Sequence, residues 1–459
     1  MPPLACYKVE PARIVPVHGN LRYVKLELIG LLAALLVASP AQAEVVTSQA
    51  DRGLLAAAAD GTPYAAYTVG RDLFVAVRSP QGRWRAIRLG RLPGANVTLA
   101  GIRVSERPHR YVSVLAEDLH GRWLSLARGS RITSIARPAA RSSLGPAGLT
   151  LDAADRPAIA YAVQRPSGKT FLRLVTFGQG VRPHTRAITQ KGFPASALPP
   201  GAAPVLVNGR LHVVETYTSA AIDWALKAPG RWVGQYLFAS RDGTPQGRVG
   251  AVFLPSTLWS AWTQVYADAL VVLLTSSSDT QTTWTLTRGI FVSIAGGENA
   301  PEIGAYDWVN LADDWPVYAG LVVRGPSEAM WQLDGRLEGY LIARDGSRQL
   351  LLSREGALEW FRAPAPSLPL IQVTMGAVDQ SGQLSGSVAG ATGGTVEIYR
   401  ELPHAVRELV ATSPIAADGS FQADGLDPSP GALYRAVYVD PGTGIPFGFL
   451  PGLPAAGSD

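Results

Sequence analysis

The sequence is poor in the residues that most covalent chemistry uses. Its 459 residues include one cysteine, Cys6, near the start, so the chain beyond it has no disulfide, no thiolate metal ligand and no thiol nucleophile. Five histidines follow the leader, His109, His120, His184, His212 and His404, scattered singly and without a His partner at metal-ligand spacing. Gly-x-Ser-x-Gly, His-Glu-x-x-His and Gly-x-x-x-x-Gly-Lys do not occur, which removes the hydrolase elbow, the zincin pair and the P-loop. Charged residues are only 17% of the chain and the net charge is +5, too little for a nucleic-acid footprint. Long apolar runs are missing as well. The run Leu28–Ala38 has 11 residues, well short of the roughly 18 to 20 needed to span a bilayer.

That run reads as an export signal. Arg22 and Lys25 precede it, and Ser39-Pro40-Ala41-Gln42-Ala43 supplies the small-x-small cleavage pattern. Residues 1–43 are therefore expected to be a signal peptide cut after Ala43, leaving no membrane span and placing the protein in the periplasm, at the cell surface or in the medium. A lipid anchor would need cysteine at the junction, where Glu44 stands. The arginine bias, with only five lysines among 41 basic residues, fits a GC-rich bacterial source.

Glycine (48) and proline (35) are plentiful, as in chains built from short strands and tight turns. The stretch Gly53–Tyr67 returns in looser form as Gly148–Tyr161: both begin Gly-Leu, carry an aspartate seven residues on (Asp60, Asp155), then a proline, and end on Ala-Tyr. Such a strand, turn and strand marks a repeat architecture. Hairpins follow the same plan at Leu73–Leu89 and Tyr111–Leu126, and Gly-Arg-Trp recurs at residues 82–84, 121–123 and 230–232, as though at one place in each unit. Units starting near residues 53, 99, 148, 203, 260 and 317 have a period of ~45 to 57 residues, that of a four-stranded propeller blade. The expected fold is all-β: a β-propeller of about six blades over residues 44–361, with five or seven as alternatives. The stretch from His404 to Val410 is the best short helical candidate. A Pro-rich linker at 362–369 leads to a small β-sandwich at 370–459.

The sandwich carries Gly394-Thr395-Val396-Glu397-Ile398-Tyr399 and Asp418-Gly419-Ser420-Phe421. These resemble stretches of bacterial Ig-like and carboxypeptidase-regulatory-like modules, and the whole resembles secreted bacterial proteins that join a propeller to such a module. The resemblance implies a spacing or supporting role for the module. Sialidases are the propeller enzymes to compare first. Ser79-Pro80-Gln81-Gly82-Arg83-Trp84 is the nearest approach to their turn motif, but it lacks the aspartate, so no catalytic residue is carried over.

Chemistry is expected at a channel mouth. Nine of the eleven tryptophans lie between Trp224 and Trp360, and one stretch, expected to be a loop, gathers Tyr306, Asp307, Trp308, Asn310, Asp313, Asp314 and Trp315. Aromatic faces beside carboxylates and an amide suit sugar rings, while the same residues could serve packing between blades and the capping of turns. Asp307, Asn310, Asp313 and Asp314 are also hard oxygen donors of the kind calcium takes, without EF-hand spacing; no other cofactor is implied. The expected function is a non-catalytic propeller that binds a glycan or an extracellular protein, or acts as a scaffold. The alternative is a sialidase-like glycoside hydrolase using Asp307 and Asp313.

Overall fold

The structure, a computed structural model, describes residues 44–50, 52–107, 109–178, 182–189, 193–194, 199–217, 220–228, 231–239, 244–266, 269–279, 283–297, 300–311, 315–325, 328–364, 371–391, 393–402, 406–429 and 432–449. All of them belong to one compact unit, Ala41–Asp459. Among the described residues there is no helix, and none long and apolar enough to cross a membrane. The helical candidate at 404–410 is corrected: its described part begins the strand Val406–Pro414.

Alternating apolar positions build a series of antiparallel meanders. The first is typical: Arg52–Ala57, Pro63–Val69, Asp72–Arg78 and Trp84–Arg91 pair in chain order. Six further sheets follow, beginning with the strands Val97–Ser105, Gly148–Leu151, Ala202–Val207, Thr244–Leu254, Ile290–Gly296 and Arg336–Ile342. These first strands touch one another in order, and the seventh touches the first. The fold is a β-propeller. Its ring holds seven sheets, called here sheets 1 to 7, where about six were expected with five or seven as alternatives. Residues 260 and 317, expected to open units, lie inside the second strand of sheet 5 and the third strand of sheet 6.

The reason lies in what ring packing asks of first strands. Neighbouring first strands approach so closely that glycine replaces the bulky alternation by which strands are recognised. A Cβ on Gly148 would stand 2.7 Å from the Ala202 carbonyl oxygen, and one on Gly339 would stand 2.6 Å from Leu55 Cβ. The second contact closes the ring, because Gly339 is in sheet 7 and Leu55 in sheet 1.

Closure has a second component. The outer strand of sheet 7 comes from the start of the described chain: Glu44–Thr47 pairs with Ala357–Ala363, Glu44 opposite Trp360. The Glu44 carboxylate accepts hydrogen bonds of 2.6 and 2.5 Å from Arg78 of sheet 1, and the Arg78 guanidinium lies 4.9 Å from the Trp360 ring centre.

The Gly53–Tyr67 and Gly148–Tyr161 stretches form the first two strands of sheets 1 and 3. Gly-Arg-Trp is not equivalent in its three occurrences. In sheets 1 and 4 it leads into the fourth strand, whereas Gly121-Arg122-Trp123 precedes the third strand of sheet 2.

Beyond Ala363 the strands Gln372–Met375, Leu384–Ala389 and Ser420–Ala423 form one sheet. The strands Thr395–Leu402, Val406–Pro414, Leu433–Val439 and Pro446–Phe449 form another, which extends sheet 6 through Leu333 opposite Phe447. Of the linker expected at 362–369, Arg362 and Ala363 instead end the strand Ala357–Ala363, and residues 365–369 lie outside the described residues. One apolar core runs from Trp331 and Leu333 of sheet 6 through Leu337 and Leu350 of sheet 7 to Val396, Tyr438 and Phe447. Beside it Asp334, 1% exposed, accepts hydrogen bonds from Arg354 (2.9 Å), Arg407 (2.6 Å) and Arg435.

Candidate functional site

In each sheet the antiparallel register sets the start of the first strand beside the end of the second, and these ends form one mouth of the ring. Buried polar side chains collect there: Thr68, Glu117, Glu215, Thr263 and Asp307 all lie in the later half of second strands. An apolar residue stands two positions before each, in Ala66-Tyr67-Thr68, Leu115-Ala116-Glu117, Val213-Val214-Glu215, Ala261-Trp262-Thr263 and Ala305-Tyr306-Asp307. The recurring Ala-aromatic-polar triplet in sheets 1, 5 and 6 is a signal in the sequence that could have located this ring.

The densest part runs through sheets 2 to 5. Glu117 Oε2 accepts the Ala147 N–H at 2.9 Å. The neighbouring Pro146 carbonyl accepts the Ala202 N–H at 3.0 Å, and Ala202 lies opposite Glu215 in the ladder. A Cβ on Gly201 would touch the Gly247 carbonyl oxygen at 2.7 Å and the Val249 nitrogen at 3.3 Å, so the backbone bearing Arg248 passes beside this pair. Arg248 then returns to sheet 2, donating to Thr98 Oγ1 at 3.1 Å and to Glu117 Oε1 at 3.5 Å. Glu117 and Arg248 are thus in direct contact, while Glu215 stands in sheet 4, opposite Ala202.

Burial decides the electrostatics here. Desolvation raises the Glu117 carboxyl above its ordinary value, against the attraction of Arg248 and the Ala147 N–H. Glu215 is fully buried, and desolvation pushes it up to about 7 although the Trp224 indole donates to Oε2 at 2.8 Å. Its Oε1 is buried with no hydrogen-bond partner. Such an oxygen costs about 1 to 3 kcal/mol, and a carboxyl near neutrality can both take up and release a proton.

Of the residues expected to form the site, Tyr306, Asp307 and Trp308 lie on the strand Pro301–Leu311, not in a loop, with Asp307 opposite Ala319. Asn310 lies opposite Pro316 in that ladder, which ends with Leu311 opposite Trp315, the first residue of the next strand. Asp313 and Asp314 lie outside the described residues. Tyr306 packs on Trp308 and edge-on to Tyr318, with ring centres 6.4 and 5.8 Å apart. Asp307 Oδ1 accepts the Trp308 N–H at 2.9 Å while Oδ2 is buried without a partner, and desolvation raises its carboxyl. Asp307 therefore belongs to the ring of buried mouth residues; Glu117, Glu215 and Arg248 complete it and carry no local mark in the sequence.

No family model matches the chain, and no curated protein matches it. Among solved structures it is similar to a protein provisionally assigned as a gluconolactonase, at 12% identity and TM-score 0.36, over 63% of this chain and 94% of that one. A glucose dehydrogenase matches at 11% identity and TM-score 0.37, over 72% of this chain and 99% of that one. A puromycin-hydrolysing peptidase of Mycobacterium tuberculosis matches at 10% identity and TM-score 0.43, over 76% of this chain and 61% of that one. The expectation of a non-catalytic binding or scaffold propeller is corrected to this extent: these neighbours are named as enzymes and lend it no support. Of the two carboxylates in the glycosidase alternative, Asp307 is a buried strand residue and Asp313 lies outside the described residues.

Proposed function

We propose that the protein is an enzyme working by general acid–base chemistry at the mouth formed by sheets 2 to 5. The observation that carries this reading is Glu215, whose one unpartnered buried oxygen and neutral-range proton affinity suit a proton-transfer group. Arg248, held by Thr98 and Glu117, is the group that meets a substrate oxygen. The substrate class is a small ester or lactone. Glu215 takes the proton of a water that attacks the carbonyl carbon, the carbonyl oxygen gains the negative charge beside Arg248, and Glu215 returns the proton to the departing alkoxide as the C–O bond breaks.

A panel of carboxylic esters and lactones tests this. Turnover by the wild type, an ascending pH–rate limb near the Glu215 value, and a loss of about 100-fold in kcat in Glu215→Gln are expected. Absence of turnover across the panel, or full activity in Glu215→Gln, sinks the reading.

The domain organisation belongs to the same proposal. Residues 1–43 are a signal peptide, residues 44–363 the propeller, and the strands after residue 370 an Ig-like module. Mass spectrometry of protein exported from a bacterial host would read the new N-terminus, and one other than Glu44 overturns the assignment.

A further inference from the structure

Sheet 3 carries a cavity of about 580 Å³ away from the mouth. Alternation along the strand Lys169–Phe177 sets Lys169, Phe171 and Arg173 on one face. That face turns toward sheet 2, because Tyr161 and Val163, opposite Arg173 and Phe171, share an apolar cluster with Leu115 and Leu126. The turn closed by Gly168 N–H to the Arg165 carbonyl (3.0 Å) brings Arg165 back over the same face. Its guanidinium lies 4.4 Å from the Phe171 ring centre, and that of Arg173 lies 5.9 Å away. Ser167 and Thr189 complete the lining that matters. Thr189 Oγ1 accepts the Leu172 N–H at 2.9 Å, which leaves its hydroxyl proton to donate.

The charge around this cavity is one-sided. From Leu119 to Val214 the chain has thirteen arginines and lysines and only two acids, Asp152 and Asp155. Both acids are engaged elsewhere, Asp152 by Arg156 at 2.8 Å and Asp155 by the Arg107 N–H at 2.8 Å. Among the described residues no carboxylate pairs with Arg165, Lys169 or Arg173. Since the chain as a whole carries only +5, the remainder is net acidic and the excess positive charge is local. Two forked guanidiniums, an ammonium and two hydroxyls match an oxyanion with several acceptor oxygens better than a flat carboxylate.

We propose that this cavity binds a tetrahedral oxyanion, phosphate or sulfate, free or as the ester of a ring that lies on the Phe171 side. Arg165, stacked on Phe171, is set in place before the ligand arrives, and Lys169 and Arg173 close on the anion from the strand.

Calorimetric titration of the full chain at low ionic strength with inorganic phosphate, inorganic sulfate, phenyl phosphate and benzoate tests the proposal. Saturable one-to-one binding of phosphate or sulfate is expected, with phenyl phosphate tighter if the ester is the ligand and equal if the free ion is. Lys169→Gln/Arg173→Gln is expected to weaken binding by about tenfold or more, and Arg131→Gln, on an exposed outer strand of sheet 2, to leave it unchanged. Arg165→Gln, at an exposed turn where folding is not at stake, gives a second loss. No saturable binding, an equal loss in Arg131→Gln, or benzoate binding as tightly as phenyl phosphate overturns it.

Discussion

Arg248 of sheet 5 donates to Thr98 Oγ1 of sheet 2 at 3.1 Å, joining two sheets that are not neighbours in the ring. The contact spans 150 residues of sequence, and the same guanidinium faces Glu117, whose other oxygen is fixed by the Ala147 N–H. A cation that reaches across the mouth both ties the ring and sets the charge seen by anything that enters it. Arg248→Met removes that cation and leaves the Glu117 carboxyl buried with only a backbone partner. The expected result is a loss of roughly 1 to 3 kcal/mol in denaturant unfolding at pH 8, and a smaller loss at pH 4, where Glu117 is protonated. Equal losses at both pH values would show that Arg248 acts by packing alone.

Glu215 gives a pH dependence of definite sign. Its folded-state value, about 7, lies above the ordinary carboxyl value, so the folded protein binds the proton more tightly than the unfolded chain. The associated stability is fully present below about pH 4.5, is lost as pH rises to about 7, and changes no further above that. The drop is about 3 kcal/mol. In Glu215→Gln this component of the stability–pH profile is expected to vanish between pH 5 and 8, as read by urea titrations at closely spaced pH. Trp224→Phe removes the indole N–H that favours the ionised form and is expected to move the midpoint upward.

The cluster around Asp334 has the opposite sign. Burial by itself raises the carboxyl, but Arg435, Arg354 and Arg407 outweigh burial and hold it well below the usual carboxylate range. Its contribution is therefore present above the unfolded carboxyl value and is lost as pH falls below about 4. Asp334→Asn removes the carboxylate shared by Arg354, Arg407 and Arg435 and leaves each with one other, Glu359, Glu355 and Glu401, and a loss of about 1 to 3 kcal/mol is expected. Arg407 and Arg435 come from the C-terminal strands, so calorimetry of this variant should resolve two transitions where the wild type shows one. A single transition lowered as a whole would mean that the apolar core around Phe447 joins the parts without help from the ion cluster.

These residues show how far the sequence could be read. The strand–turn–strand repeats are legible because their core positions alternate: Ala65 and Tyr67 in sheet 1, and Ile159 and Tyr161 in sheet 3, are buried on one side of each second strand. First strands are harder where a glycine such as Gly339 replaces apolar bulk at the touch between neighbours, and the three units of sheets 5 to 7 read as two. Asp307 and Tyr306 could be found as polar and aromatic residues close together. Glu117 and Arg248 could not, because 131 residues separate them and only closure of the ring brings them together.

Closure itself can be tested at the strand that completes sheet 7. Glu44–Thr47 covers the edge of Ala357–Ala363 and carries the carboxylate that holds Arg78 at 2.6 and 2.5 Å. A chain starting at residue 48 loses one strand ladder, leaves a sheet edge unpaired and frees the Arg78 guanidinium above Trp360. An exposed edge of this kind recruits other chains, so the shortened protein is expected to melt lower and to associate with rising concentration in light scattering. Glu44→Gln separates the two contributions. It keeps the ladder and removes only the ion pair, both partners of which are about a quarter exposed at 26% and 24%, so a loss of about 1 kcal/mol or less is expected, without association. If the point variant associates as readily as the shortened chain, the ion pair rather than the strand ladder holds the ring closed.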